Sequence, residues 1–144
     1  MLAKVMFAAV ATASFGVIFN IRGLNLVLAG ITGGIGYLIV AVGATRGFET
    51  YIGMFLASLV MATLAEILAR KRKAPASIFL AAALIPIVPG GRLFSFVMHF
   101  LEGDYQLAGV DGAATLLEGG AIAIGIIVVS SFTKTVIGSC RQRM

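Results

Sequence analysis

Helix-breaking residues interrupt an otherwise apolar segment and are followed at once by an arginine. The run contains Pro86, Pro89, Gly90, Gly91 and Arg92. Each proline lacks a backbone N–H and clashes with the carbonyl four residues earlier, so the run predicts a break in a helix. Counting inward from both ends of the segment places this break near the middle of a bilayer. Backbone left unpaired at that depth needs protein or a water-filled cavity around it, as in the substrate sites of secondary transporters.

Arg92 adds a charge to the predicted break. An arginine inside a membrane costs at least about 2.5 kcal/mol on insertion scales, so it should face a partner or a cavity. If a helix restarts near Gly90, its free N–H groups and positive dipole end lie beside the guanidinium. This combination suits a carboxylate ligand. The alternative is that Arg92 points outward to the interface or only neutralises Glu118.

Two acidic residues also lie within apolar segments. Glu66 precedes Arg70 by four residues, which favours an ion pair along one helix. Glu118 should reach the depth of Arg92, as a structural counter-ion or as a proton carrier, and Glu66 is the second candidate for that role. His99 is expected at the outer end of its helix beside Glu102 and Asp104, at the membrane interface.

The composition explains why a membrane setting is assumed for these residues. Of 144 residues, 60% are hydrophobic and 12% charged, with a mean hydropathy of +1.06. A soluble domain carries about a quarter charged residues, so a soluble enzyme is excluded in practice. The net charge of +5 is scattered along the chain, which argues against nucleic acid as a partner. The single cysteine, Cys140, excludes an internal disulfide, and no constellation for catalysis, a metal or a cofactor is present.

The predicted fold is a single all-α integral membrane domain over residues 1–144. A helix needs about 20 apolar residues to cross the hydrocarbon core. Five segments meet or approach that length: residues 5–21, 24–44, 50–69, 76–101 and 112–137. The fourth is the discontinuous one. The first is interpreted as a permanent helix rather than a cleaved signal, because its apolar run continues past the small residues at 11–13.

The basic residues predict the orientation, since cytoplasmic loops carry an excess of lysine and arginine. The strongest mark is the run Arg70, Lys71, Arg72, Lys73 between the third and fourth segments. Alternation then puts Arg22, Lys134, Arg141 and Arg143 on the same side, and Lys4 and Arg46 on the other. The amino terminus is therefore expected outside and the carboxyl terminus in the cytoplasm.

Glycines in the second segment offer a close-packing surface. Gly30 and Gly34 have the small-xxx-small spacing that lets helix backbones approach each other. In the fifth segment Gly119, Gly120 and Gly125 could act in the same way. Two interpretations remain open: an interface between subunits, and ordinary packing within one bundle.

Several stretches of the chain resemble the threonine/serine exporter family, in particular a short polytopic subunit matching the family's carboxyl-terminal half. They are FGVIFN at 15–20, LAEILAR at 64–70, APASIF at 74–79, IPIVPGG at 85–91 and LEGDY at 101–105. The motif matches that the resemblance brings are Asn20, Glu66, Pro86, Pro89, Gly90 and Gly91. The role of Arg92 is inferred from its chemistry alone.

The resemblance implies a membrane subunit that exports small carboxylate metabolites across the bacterial inner membrane. Threonine or serine is implied for members that fuse both halves, and succinate for some that are split. It also implies a longer membrane subunit as the partner. The alternative, from another class, is a non-transporting assembly subunit whose partner holds the substrate path. In a transporter Arg92 should face a polar opening, whereas in a scaffold it should be buried against Glu118.

The orientation can be tested by cysteine labelling in a Cys140→Ser background. Lys71→Cys should react with a membrane-impermeant maleimide in inside-out vesicles and not in intact cells. Arg46→Cys, the matched control in the link after the second segment, should show the opposite pattern. Labelling of Lys71→Cys from outside intact cells would invert the topology.

Overall fold

The protein, seen in a computed structural model, is helical throughout the part of the chain that the structure describes. That part comprises the backbone of residues 1–141 and the side chains of residues 1–135. Its elements are α1 (Leu2–Ile18), α2 (Leu24–Thr45), α3 (Thr50–Arg72), α4 (Ala76–Leu84), a 3-10 turn (Ile85–Ile87), α5 (Gly90–Leu101) and α6 (Tyr105–Arg141). No strand occurs within residues 1–141. The Cys140 thiol and the Arg141 and Arg143 side chains of the sequence prediction lie outside the described side chains.

The helix ends follow from local sequence. Gly47 and Gly103 take φ values of +77° and +82° in the links before α3 and α6, a region that glycine enters without steric cost. Pro75 immediately precedes α4, where a missing N–H costs nothing. Asp104 caps α6, because its Oδ1 accepts a hydrogen bond of 3.0 Å from the Leu107 N–H.

Helices α1, α2 and α3 pack side by side as antiparallel neighbours, and α4 packs on α2 and α3. Glycines set the close spacing between α1 and α2. A Cβ on Gly30 would lie 3.2 Å from the Ala9 carbonyl oxygen, and one on Gly33 would lie 2.9 Å from Thr12 Cβ. Gly34 also packs against Ala9. In this structure the Gly30/Gly34 surface is therefore used for packing within the bundle.

The core lies among α3, α4 and α6. Its buried members are Met54, Ala57, Met61, Ala83, Ile87 and Ile122. Near the end of α3, Arg72 Nε donates a 2.9 Å hydrogen bond to Asn25 Oδ1 at the start of α2. The links before α2 and before α4 therefore lie at the same end of the bundle. We call this the basic end, because it holds Arg22, Arg70, Lys71, Arg72 and Lys73.

Helix α6 runs parallel to α3 and extends beyond it. A Cβ on Gly125 would lie 3.1 Å from the carbonyl oxygen of Phe55, which fixes the register of the two helices. At 37 residues α6 is about 55 Å long, well beyond a hydrocarbon core of about 30 Å. Its first turns therefore project past the start of α3, at the end opposite the basic end.

Three helices are long and apolar enough to cross a membrane by themselves: Leu24–Thr45, Thr50–Arg72 and Tyr105–Thr135. The segments Ala76–Ile87 and Gly90–Leu101 pass the same test as a pair, bent by 54°, as a broken span or a re-entrant loop would be. Helix α1 is apolar but shorter, at 17 residues. The chain is thus an all-helical, multi-pass membrane protein with three to four candidate spans in the described residues.

Because α1 and α2 approach closely, adding one methyl group between them should lower the stability of the protein. Gly33→Ala should lower the free energy of unfolding by about 1–3 kcal/mol, because the new Cβ overlaps the rigid Cβ of Thr12. Gly120→Ala is the matched control, since a Cβ there meets no atom within 4 Å. Denaturant titration in detergent micelles measures both. Equal effects of the two variants would contradict this packing.

Candidate functional site

The run of prolines and glycines forms a sharp turn between α4 and α5. Pro86 lies in the 3-10 turn, and Val88, preceding Pro89, is extended (φ −60°, ψ 135°), as the residue before a proline prefers. Pro89 has φ −72° and ψ 53°, and the Gly90 N–H donates to the Val88 carbonyl oxygen at 2.7 Å. This is an inverse γ-turn. The chain leaves it directly into α5.

The start of α5 has unpaired backbone N–H groups, and the two glycines there leave space beside them. The N–H groups of Gly91 and Arg92 lie in the first turn of α5. In the described residues, neither donates to a backbone carbonyl outside the regular helices. A Cβ on Gly90 or on Gly91 would meet no atom within 4 Å. Neither glycine is required by a positive φ or by contact with this chain. The space beside each glycine is therefore not filled by this chain.

Arg92 pairs with Glu118 of α6. Its Nε donates to Glu118 Oε1 at 2.9 Å. The two ends of the pair differ in exposure: 46% of the arginine side chain is exposed and 5% of the glutamate side chain. Glu118 is thus a buried carboxylate neutralised by one edge of the guanidinium, while the rest of the guanidinium faces outward.

A second polar pair lies further along the same two helices. His99 Nδ1 is 3.0 Å from Asp111 Oδ2, and since a carboxylate only accepts, the proton must be on Nδ1. His99 follows Arg92 by seven residues, and Glu118 follows Asp111 by seven. Seven residues are about two helical turns, so the pairs form two successive contacts across an antiparallel helix pair. Asp111 Oδ1 also lies 3.8 Å from Arg92 Nη1.

Apolar packing between the two polar pairs is limited. A Cβ on Gly112 would lie 3.1 Å from the ring of Phe96, so glycine lets that ring approach α6. No residue of α5 is buried, and among the helices α6 is its main neighbour. The polar pairs therefore contribute much of what fixes α5 in place.

The cluster of Arg92, His99, Asp111 and Glu118 presents donors and acceptors of the kind that a small zwitterion needs. The exposed guanidinium and the free N–H groups of α5 are donors for a carboxylate. Asp111, which is 19% exposed at its side chain, is an acceptor for an ammonium group close by. Arg92 brings one positive charge to the cluster, and Asp111 and Glu118 bring two negative charges.

The depth of the pair differs from the sequence prediction. Glu118 lies two turns before Gly125, which puts it level with the start of α3 and not midway along it. The Arg92–Glu118 pair thus lies toward the end opposite the basic end.

Asn20 is not part of this arrangement. It follows α1 with a left-handed φ of 58°, and its Oδ1 accepts a 2.9 Å hydrogen bond from Arg22 Nε. It shares the basic end with Arg72 and Asn25, far along the bundle from Arg92. In this structure Asn20 shapes the turn between α1 and α2 and does not join the break.

The expected ion pair between Glu66 and Arg70 is wrong. Among the residues whose side chains are described, the ion pairs within 4.0 Å are those of Arg92 and His99 only. Both Glu66 and Arg70 instead line a cavity of about 280 Å³ between α3 and α6. No group of three or more His, Cys, Asp or Glu side chains suited to a metal occurs in the described part of the chain.

Sequence reasoning missed the pairing of His99 with Asp111. It assigned His99 to the interface beside Glu102 and Asp104 and gave Asp111 no role. The signal was the equal seven-residue spacing on both sides of the turn at Gly103. In an antiparallel helix pair, two residues separated by seven on one helix meet two residues separated by seven on the other, which gives two successive pairs.

Comparisons with known proteins agree with a transport protein. Residues 4–132 match the family described as Threonine/Serine exporter, ThrE. Over 103 residues the chain is 28% identical to a protein of Mycobacterium tuberculosis named probable threonine/serine exporter. That match covers 71% of this chain but 19% of the relative, so the chain spans about a fifth of the relative's length. No solved structure matches the chain.

The family match covers every element from α1 to the main part of α6, including the break and all four residues of the polar cluster. The chain belongs to the threonine/serine exporter family.

Proposed function

We propose that this chain is the membrane subunit of a secondary exporter that moves a small carboxylate metabolite out of the bacterial cell. The observation that carries the proposal is the state of Arg92, which is paired through Nε yet leaves 46% of its side chain exposed beside an open helix N-terminus. A guanidinium used only as a counter-ion would gain nothing from that exposure. The guanidinium N–H groups that do not contact Glu118 bind the substrate carboxylate, together with the free N–H groups at the start of α5.

The charges near Arg92 favour an amino acid over a dicarboxylate. Asp111 lies 3.8 Å from the guanidinium and Glu118 lies 2.9 Å from it. A second carboxylate on the substrate would meet these two acids and be repelled, while an ammonium group would be attracted. Threonine or serine therefore fits this site better than succinate, in line with the name of the family.

The transport cycle in this proposal is alternating access around the break, with five spans, the amino terminus outside and the basic end in the cytoplasm. The short α1 and the broken α4–α5 segment supply the two spans beyond the three long helices. Glu118 or Glu66 would carry a coupling proton. A second, longer subunit, which the resemblance to the family implies, would complete the path.

The second candidate is a non-transporting assembly subunit. The close Arg92–Glu118 contact of 2.9 Å favours it, since that pair alone explains why both charges are present. In this case the longer partner would hold the whole substrate path, and the exposed part of Arg92 would be covered by the partner.

Charge variants in a reconstituted exporter separate the two functions. The chain is combined with its longer partner in vesicles, and counterflow of labelled threonine, serine and succinate is measured. Arg92→Lys should slow threonine counterflow, because lysine loses the planar fork, and Arg92→Gln should slow it more, by about tenfold or greater. Arg46→Gln, an exposed charge outside the cluster, is the control and should leave the rate unchanged.

The double variant Arg92→Gln with Glu118→Gln decides between them. It leaves no buried charge unpaired, so a purely structural pair should regain transport in the double variant. Restored counterflow would establish the assembly role. Continued loss in a protein that still assembles, with helicity unchanged, supports recognition of the substrate by Arg92.

A further inference from the structure

The cavity between α3 and α6 near the basic end is distinct from the break. It has a volume of about 280 Å³, below the range of about 300–1,000 Å³ found for drug-sized ligands. Its walls carry Thr63, Glu66 and Arg70 from α3, and Val129, Phe132 and Thr133 from α6. Its size suits a small metabolite, and its walls combine both signs of charge with hydroxyl groups.

The two charged groups of the cavity are separated and unpaired. Glu66 and Arg70 are one helical turn apart, a spacing at which opposite charges commonly meet. In the described residues they form no ion pair within 4.0 Å, although both line the same cavity. The cavity therefore presents a carboxylate and a guanidinium with a gap between them.

We propose that this cavity is a second binding site, for the zwitterion of a small α-amino acid. The ammonium group meets Glu66 and the carboxylate meets Arg70, so the ligand bridges the gap that the side chains leave. Thr63 Oγ1 donates to the Leu59 carbonyl oxygen at 2.8 Å, which leaves its lone pairs to accept from the ligand. The apolar wall formed by Val129 and Phe132 contacts the ligand side chain.

The position of the cavity gives the site its meaning in transport. Phe132 follows Glu118 by 14 residues on α6, about 21 Å along the helix. The cavity is thus at the basic end and the Arg92 cluster toward the other, on one continuous helix. In transport, the cavity would be the site where substrate enters from the cytoplasm. That role rests on the proposed export function, whereas the binding itself does not.

Binding can be measured on the full chain in nanodiscs of phosphatidylglycerol and phosphatidylcholine. The chain contains no tryptophan, so Phe132→Trp adds a single fluorescent reporter at the cavity. Phe7→Trp, on an exposed part of α1, is the control reporter. Threonine should change the emission of the first and not of the second. Threonine amide, which lacks the carboxylate, and succinate, which lacks the ammonium, should bind at least about tenfold more weakly.

Matched charge variants assign the contacts. Glu66→Gln and Arg70→Gln should each weaken threonine binding by about tenfold or more, and Arg70→Lys should recover part of the loss. Glu49→Gln and Lys71→Gln change the net charge by the same amounts outside the cavity and should leave binding unchanged. Far-ultraviolet circular dichroism confirms that each variant keeps its helicity.

Three results would overturn the site. They are no response to threonine in the folded reporter variant, equal binding by the control charge variants and the cavity variants, and a response to phosphoethanolamine without one to threonine. The last would assign the cavity to a lipid headgroup. Binding with normal charge dependence in a chain that fails to transport would contradict the export function and leave the binding site in place.

Discussion

The ion pair between Arg92 and Glu118 is the interaction on which the arrangement of the break depends. Helix α5 follows a turn with two prolines, has no buried residue and packs mainly on α6. With so little apolar contact, the polar pairs to α6 determine where α5 lies. Removing one partner would leave a buried Glu118 carboxylate without a counter-ion, which costs about 3–5 kcal/mol in proteins. In the proposed function the same guanidinium also binds the substrate carboxylate, so the ion pair and the substrate would compete for it.

Helix α6 joins the two charged regions of the molecule. Glu118 faces α5, Gly125 contacts α3, and Thr133 borders the cavity near the basic end. These residues recur at intervals of seven or eight, which keeps them on neighbouring faces of the helix. Both regions therefore depend on how α6 is packed.

Composition and helix-breaking residues were enough to predict an all-helical membrane protein and a turn at the proline run. The apolar segments needed only their length and low charge, and Pro86 and Pro89 remove backbone hydrogen bonds in any helix. The approach of Arg92 to Glu118 followed from two antiparallel segments of similar depth. The predicted ion pair between Glu66 and Arg70 was wrong because it depended on side-chain orientation. The two residues have the right spacing for a pair, but their side chains line a cavity instead. The level of Glu118 beside the start of α3 was also missed, because the register of α6 on α3 cannot be read from hydropathy.

The central claim is that the substrate lies against the open start of α5, beside Arg92. Its most direct test is Gly90→Cys in a Cys140→Ser background, modified from outside by a charged thiol reagent in the assembled exporter. A side chain at this position meets no atom of the chain within 4 Å, so the thiol should react freely. Threonine should slow its modification and leave that of Gly119→Cys, equally open on α6, unchanged. Modification of Gly90→Cys at the same rate with and without threonine would contradict the account.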